Sequence, residues 1–372
     1  MKFIFSCGGT AGHINPAIGV AGRLKELVPD CEILFIGAEG MMETSLVPRE
    51  GFEIKTVKIS NISRSMSLAG IKHNFKTVIN VIKSVSAAKR IIADFAPDVV
   101  IGTGGYVCYP VLKAAHSLGI PTVVHESNAV PGLTTKMLAS IADCIMVGFE
   151  KAKENYKPGT NVVYTGTPVR SDFLSYDKLK AREELGIPAH KALVVSVWGS
   201  LGSGHMNALM ESFANIAAKR EEFILIHSAG KGGYDKLKSV LDEKCPDRLE
   251  KGVDVRPYIY DMPRVMAAAD LIMCRSGAST LAELSAIGKP AVLVPSPNVT
   301  NNHQEKNARV LETAGGAKVY LEGEFDAESL YCDICSMIND EELLRSMSGA
   351  MAASGQPEAR DKIADIILGY AT

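Results

Sequence analysis

Four times in this chain a short apolar run stops at small residues and passes straight into a helical pattern. Lys2–Cys7 runs into Gly8-Gly9-Thr10-Ala11-Gly12-His13, and Val99–Gly102 into Thr103-Gly104-Gly105-Tyr106. Ala192–Val197 runs into Trp198-Gly199-Ser200-Leu201-Gly202-Ser203-Gly204, and Leu271–Cys274 into Arg275-Ser276-Gly277-Ala278. Parallel strands need a crossover between them, and a helix after a tight turn supplies it. The recurrence therefore predicts an α/β fold. It also predicts function at the turns: parallel strands of an open sheet all finish on one side, and a helix start there offers free N–H groups and a positive dipole end. At 372 residues the chain exceeds a single ordinary core. The reading is two Rossmann-like, doubly wound domains facing across a cleft, residues 1–168 and 169–355. Thr165–Arg170 is the hinge, and a C-terminal helix within 356–372 (Glu358–Tyr370) crosses back to the first domain.

Within the first unit, Pro16 is expected in the first turn of a helix that begins near Asn15 and runs to about Val28. The loop before it is neither G-x-G-x-x-G nor G-x-x-x-x-G-K-[ST], so both common nucleotide fingerprints are absent. His13, among glycines at a helix entrance, is a candidate for proton transfer, with a packed or capping histidine as the alternative. In the stretch Ile272–Gln304, a strand, a turn, a helix opening at Ser279 and a second strand at Ala291–Pro295 precede the polar run Asn301-Asn302-His303-Gln304. Those side chains are hydrogen-bonders of the kind sugar hydroxyls need. Taken alone, Thr280-x-x-Glu283 reads first as a capping box. Beyond this stretch, apart from a helical pattern at AESLYCDICSMI around Cys332 and Cys335, strands and helices are expected to run out until the C-terminal helix.

Apolar residues make up 47% and charged residues 22%, a soluble globular composition, and the net charge of −2 makes no case for nucleic acid. No run approaches the ~20 apolar residues of a membrane span, and the first residues are too few for a signal peptide, so a cytoplasmic protein is expected. The eight cysteines are read as reduced thiols, Cys332-x-x-Cys335 included, because no second pair completes a zinc site. One local asymmetry stands out. From Ile54 to Ala93 there is no Asp or Glu, while Lys55, Lys58, Arg64, Lys72, Lys76, Lys83, Lys89 and Arg90 are basic. Leu68, Ile71, Phe75, Val78, Ile79, Ile82, Val85 and Ile91 recur at helical spacing in the same segment. This reads as a surface for an anionic membrane, the alternative being a solvated helix face.

The motifs GGTAGHINPA, GTGGY, HESN, GTPVR, YIYDMP, CRSGASTLAELSAIGKP and NNHQEKNA occur in that order over essentially the whole chain. In them the chain resembles the MurG glycosyltransferases of peptidoglycan synthesis, which have the GT-B fold. The resemblance implies an inverting transfer of N-acetylglucosamine (GlcNAc) from UDP-GlcNAc to the C4 hydroxyl of the MurNAc sugar in lipid I, giving lipid II. It implies that Glu283 grips the ribose hydroxyls and that the Ile259 backbone faces the uracil. Ser200 and the helix start Ala278, Ser279 and Thr280 would hold the diphosphate, with Leu281 and Ala282 following. Gln304 and Asn128 would bond sugar hydroxyls, with Thr10, Ala11, Gly12 and Arg170 nearby. Gly104, Gly105 and Tyr106 would line the acceptor side, with His13 and Glu126 the two candidates for the base. Where the family shows GGSQGA this chain has WGSLGS, so Trp198 and Leu201 depart from it. The chain has no Asp-x-Asp, and neither metal nor cofactor is expected. The implied partners are UDP-GlcNAc, lipid I, the anionic inner leaflet through 54–93 and other cell-wall synthesis proteins, with a peripheral place on the cytoplasmic face of the membrane. Another GT-B lipid glycosyltransferase and a UDP-sugar epimerase are the competing readings.

Overall fold

The computed structural model describes residues 1–59, 68–199 and 202–371, with side chains described for all of these except 68–81 and 300. Ser200, Leu201, Arg64 and the side chains of Ile71, Lys72, Phe75, Lys76, Val78 and Ile79 thus lie outside the described residues. The chain forms two units, Met1–Val169 with Gln356–Thr372, and Arg170–Gly355.

In the first unit, β1 (Lys2–Ser6), α1 (Ala11–Leu27), β2 (Glu32–Ala38), α2 (Glu43–Arg49) and β3 (Glu53–Val57) are followed by α3 (Leu68–Phe95) and β4 (Val99–Gly102). Then come α4 (Cys108–Ser117), β5 (Thr122–Glu126), α5 (Leu133–Leu138), β6 (Cys144–Val147) and β7 (Val162–Tyr164). The sheet order is β3-β2-β1-β4-β5-β6-β7, and every pairing is parallel. Both faces are covered, which is why the strands read as unbroken apolar runs. Phe3 and Phe5 of β1 and Ile33 and Phe35 of β2 pack with α1 on one face. The alternate residues Ile4, Leu34 and Ile36 pack with α4 on the other.

The second unit contains α6 (Lys178–Glu184), β8 (Leu193–Val197), α7 (Gly204–Arg220), β9 (Ile224–Ser228), α8 (Tyr234–Lys244) and β10 (Val253–Arg256). It continues with α9 (Met262–Ala268), β11 (Leu271–Cys274), α10 (Ala278–Ala286), β12 (Ala291–Leu293), α11 (His303–Ala314), β13 (Ala317–Val319), α12 (Ala327–Ile338) and α13 (Glu341–Ala353). Its sheet, β10-β9-β8-β11-β12-β13, is also all parallel. The last helix, α14 (Ala359–Tyr370), returns to the first unit, where Ile363, Ala364 and Ile367 are buried in the core that also holds α1.

Each sheet reverses its winding once, between β1 and β4 in the first unit and between β8 and β11 in the second. The carboxyl ends of strands at such a reversal open a crevice, because the helices that follow lie on opposite faces. The four small-residue turns follow these four strands.

Three sequence expectations are corrected. Helix α1 starts at Ala11, with the Thr10 carbonyl accepting from His13 N and Ile14 N at 3.0 and 3.2 Å, so Pro16 lies inside the helix and not in its first turn. Gly12 and His13 are therefore helical. Secondary structure does not run out after Gln304: α11, β13 and α13, together with α12 over the helical pattern around Cys332, complete the second unit. And α10 is capped at Gly277, which puts Thr280 inside the helix, so Thr280-x-x-Glu283 is not a capping box. Of the cysteines, six are buried, Cys335 is half-buried and Cys332 is exposed.

Candidate active site

In the second unit the turn after β8 and the turn after β11 face a cavity of about 590 Å³. Ser203 caps α7: its Oγ accepts from Met206 N at 3.4 Å and from Arg275 Nη2 at 3.0 Å. Gly202, at φ +77°, passes so close to β9 that a Cβ would lie 2.2 Å from the Ala229 carbonyl oxygen, which only glycine allows. Helix α10 differs from α7. Its cap, Gly277, has no side chain to occupy the first N–H groups, so this helix start is open to an anion. Arg275 stands beside it, ion-paired with Glu322 and donating to the Val294 and Pro295 carbonyls at 3.0 and 3.2 Å. Its guanidinium lies 5.8 Å from the centre of the Trp198 ring. A guanidinium fixed in the same cavity as an open helix start suits a diphosphate.

The cavity brings together Thr280 and Gln304 of the predicted donor residues, with Trp198, Gly199, Arg275 and Glu322. Gln304 is fixed at both ends: its carbonyl accepts from Ser276 Oγ at 2.8 Å, and its Oε1 from Ser296 N at 2.9 Å. Among the described residues the buried Ser279 hydroxyl has no hydrogen-bond partner. Glu283 does not line this cavity. It is half-buried, its carboxyl pushed up to about 7 by burial, lowered by the nearby Arg170 charge and raised again by Asp172. Arg170 itself pairs with Asp172 at 3.1 Å. Among the described residues no group donates a hydrogen bond to the Glu283 carboxylate, which leaves both oxygens for a ligand's hydroxyls. The Ile259 side chain is buried in its loop, and Ala278 and Ala282 are half-buried on α10. Leu281 is corrected: its side chain is core, 1% exposed, and its N–H is spent on the Gly277 carbonyl at 3.0 Å.

In the first unit the turns after β1 and β4 interlock. Gly8 N donates to Gly104 O at 3.1 Å, and Gly105, at φ +92°, sits where a Cβ would be 2.4 Å from Gly8 O. His13 Nδ1 is 3.0 Å from Gly8 O and 3.4 Å from Thr10 Oγ1, and the His13 carbonyl accepts from Thr103 Oγ1 at 2.7 Å. A carbonyl can only accept, so Nδ1 carries the proton in the neutral ring and Nε2 keeps its lone pair. That is the tautomer a general base requires. Thr10, Ala11 and Tyr106 are exposed around it, and the ring lies against Gly104, with Gly12 half-buried beside it.

Glu126 is placed differently from its expected role. It is 6% exposed, and Oε1 accepts from Asn128 N and Nδ2 at 3.0 and 2.9 Å. Oε2 accepts from Gly132 N and Thr135 Oγ1 at 2.9 and 2.7 Å. Four donors on one carboxylate fill its lone pairs and hold the 126–135 loop, so Glu126 is corrected from candidate base to structural anchor. Asn128 is drawn into the same cluster. Sequence reasoning missed Arg275 and Thr103, and in both cases the only signal was their place in a turn after a strand.

The model of the glycosyltransferase family 28 N-terminal domain matches residues 3–147, and that of its C-terminal domain residues 193–363. A UDP-N-acetylglucosamine--N-acetylmuramyl-(pentapeptide) pyrophosphoryl-undecaprenol N-acetylglucosamine transferase of Acetivibrio thermocellus is 42% identical, over 99% of this chain and 97% of its own length. The same-named protein of Caldanaerobacter subterraneus subsp. tengcongensis is 41% identical, covering 99% of both. The crystal structure of Acinetobacter baumannii MurG superposes with a TM-score of 0.79 at 27% identity, covering 99% of each chain. The chain belongs to the MurG family. Its two lobes of parallel sheet and helices are those of the GT-B fold. A UDP-GlcNAc 2-epimerase of Neisseria meningitidis, bound to UDP-GlcNAc, shares that fold at a TM-score of 0.67 and 15% identity, which is likeness of architecture alone. Against the MurG family's GGSQGA, the tryptophan of this chain is a core residue, 3% exposed, that also forms cavity wall.

Proposed function

We infer that the chain is an inverting glycosyltransferase that moves GlcNAc from UDP-GlcNAc to the C4 hydroxyl of MurNAc in lipid I, forming lipid II. The observation that carries this is full-length identity above 40% to transferases of that name. The hydroxyl must lose a proton as it attacks the anomeric carbon, and UDP must leave with its charge stabilised. In our reading His13 Nε2 takes the proton. The open start of α10 and Arg275 receive the diphosphate, and Gln304 bonds a sugar hydroxyl, as Asn128 does by resemblance. Glu283 accepts from the ribose hydroxyls and Ile259 faces the uracil through its backbone. Thr10, Ala11, Gly12 and Arg170 complete the donor's surroundings; Gly104, Gly105 and Tyr106 those of the acceptor. The domain roles follow: acceptor and membrane side in 1–168 with the last helix, donor side in 169–355.

Lipid I is membrane-bound, and no described helix is long and apolar enough to cross a membrane. We assign peripheral attachment at the cytoplasmic face to the acid-free segment 54–93. In support, Ile82 on α3 is 65% exposed and Lys83 beside it is exposed. The assay is radiolabelled UDP-GlcNAc with lipid I and with a lipid-free control. Label should pass to lipid only when lipid I is present. Epimerised sugar or free UDP from UDP-GlcNAc alone would instead support the epimerase reading.

A further inference from the structure

One buried acid of the first unit has no part in the reaction as set out above. Glu43, the first residue of α2, is 0% exposed, and among the described residues no cation pairs with it. Its Oε1 accepts from Ala38 N, at the end of β2, at 2.8 Å. Its Oε2 accepts from Gly9 N, in the turn after β1, at 3.0 Å. The carboxylate thus bridges a strand end to the glycine turn. The fit is close on both sides: a Cβ at Gly8 would lie 2.5 Å from Glu43 Oε1, and one at Gly37 would lie 2.6 Å from Glu43 Cγ. A buried carboxylate without a cation is costly to keep unless its hydrogen bonds are needed.

The turn that Glu43 holds is the one that sets His13. Gly8 O accepts from His13 Nδ1 at 3.0 Å, Gly8 N is tied to Gly104 O at 3.1 Å, and Gly9 N is tied to Glu43. The orientation of the Gly8 carbonyl, and with it the tautomer and direction of the imidazole, depends on the peptide between Gly8 and Gly9. Gly9, at φ +86°, is exposed, and among the described residues nothing lies within 4 Å of where its Cβ would be. Gly105 packs against the carbonyl side of this peptide, and the Glu43 hydrogen bond holds its N–H side.

We propose that Glu43 is a positioning residue for the transfer reaction, clamping the Gly8–Gly9 turn so that the Gly8 carbonyl orients His13 as a base. The proposal rests on the reading of His13 as that base. A glutamine at 43 keeps the size but has one acceptor oxygen, so its amide NH2 must face either the Ala38 or the Gly9 N–H, donor against donor.

The test is a double-mutant cycle in the lipid I transfer assay, with UDP affinity measured in parallel. Glu43→Gln should lower kcat about ten- to a hundredfold through misplacement of the imidazole, with UDP affinity within about twofold of wild type. In a His13→Ala background the same substitution should lower kcat by no more than about twofold, because the group it positions is gone. Independent losses that multiply would show a role in general stability and overturn the proposal, as would wild-type turnover in Glu43→Gln. Should Glu43→Gln fail to fold, Gly37→Ala carries the same test, since it keeps the carboxylate and displaces it through Cγ. Full turnover in His13→Ala sinks the base assignment itself. A silent Glu43→Gln beside an inactive His13→Ala sinks only the role of Glu43.

Discussion

The Glu283 carboxyl, lifted to about 7 by burial, is charged in the folded chain only toward the alkaline side of neutrality. An acid raised in this way binds more protons folded than unfolded between about 4.5 and about 7, so its contribution to stability falls as pH rises through that window. Glu283→Gln should therefore melt higher than wild type at pH 8, and the gap should close on acidification below the unfolded value. UDP binding by wild type should strengthen as pH rises through 7 while that of the mutant stays flat; parallel pH profiles would contradict the ribose role. Glu126, by contrast, is held by four hydrogen bonds. Hydrogen bonds to a charged group contribute about 1.5–3 kcal/mol each, so Glu126→Ala should lose at least about 3 kcal/mol in urea unfolding. Trp198 is the only tryptophan of the chain and lines the cavity, so UDP should change its emission, and unchanged emission at saturating UDP would place the nucleotide elsewhere. Thr280 and Gln304 reach the cavity from a helix start and a polar run beside strand ends, places the sequence pattern marks without a family. Glu126 is not marked in this way. Its donors Asn128, Gly132 and Thr135 converge on one carboxylate only because of how the loop folds, and no periodicity encodes that.

At the scale of elements, the strands were the most legible, for a reason visible in β1 and β2. A strand buried on both faces must be apolar at every position, and Phe3, Ile4 and Phe5 announce this without any partner being known. What the sequence concealed lies after Gln304. β13 has three residues, and α11 (HQEKNARVLETA) buries only Asn307, Ala308 and Leu311, too few to mark a helix by apolar spacing. The start of α1 was concealed by Pro16, which suggested a later first turn. Helix α9 shows how a junction is held. Lys289, after α10, donates to the Ala267 and Ala269 carbonyls at 2.5 and 2.8 Å, and burial depresses its ammonium to about 7, with Lys178 also lowering it. A lysine with a depressed folded value binds fewer protons folded than unfolded between about 7 and about 10.5, so its contribution to stability grows as pH rises through that range. Lys289→Met removes that dependence. The stability of wild type relative to the mutant, from urea titrations, should increase from pH 7 to pH 10; a constant difference would contradict the burial of an ionisable amine at this junction.

Across the molecule, two units of one architecture place small-residue turns at both winding reversals, which the recurrence of strand, turn and helix foretold. The charge asymmetry of 54–93 belongs to this scale too, because a membrane is felt by a whole surface and not by one residue. Each lysine near an anionic bilayer contributes on the order of 1 kcal/mol. Wild type should float with anionic vesicles at low salt, and Lys72, Lys76 and Lys83 changed to Glu should abolish this while transfer to a soluble acceptor persists; equal flotation would return the segment to an ordinary helix face. The central claim is a division of labour, with the donor nucleotide held by the second unit and proton removal done from the first. It is tested most directly by measuring lipid I turnover and UDP affinity together in Glu283→Ala and His13→Ala. The account predicts that Glu283→Ala weakens UDP binding about tenfold or more, and that His13→Ala keeps UDP affinity while turnover falls by roughly 10²-fold. Unweakened UDP binding in Glu283→Ala, or normal turnover in His13→Ala at every pH, would contradict it.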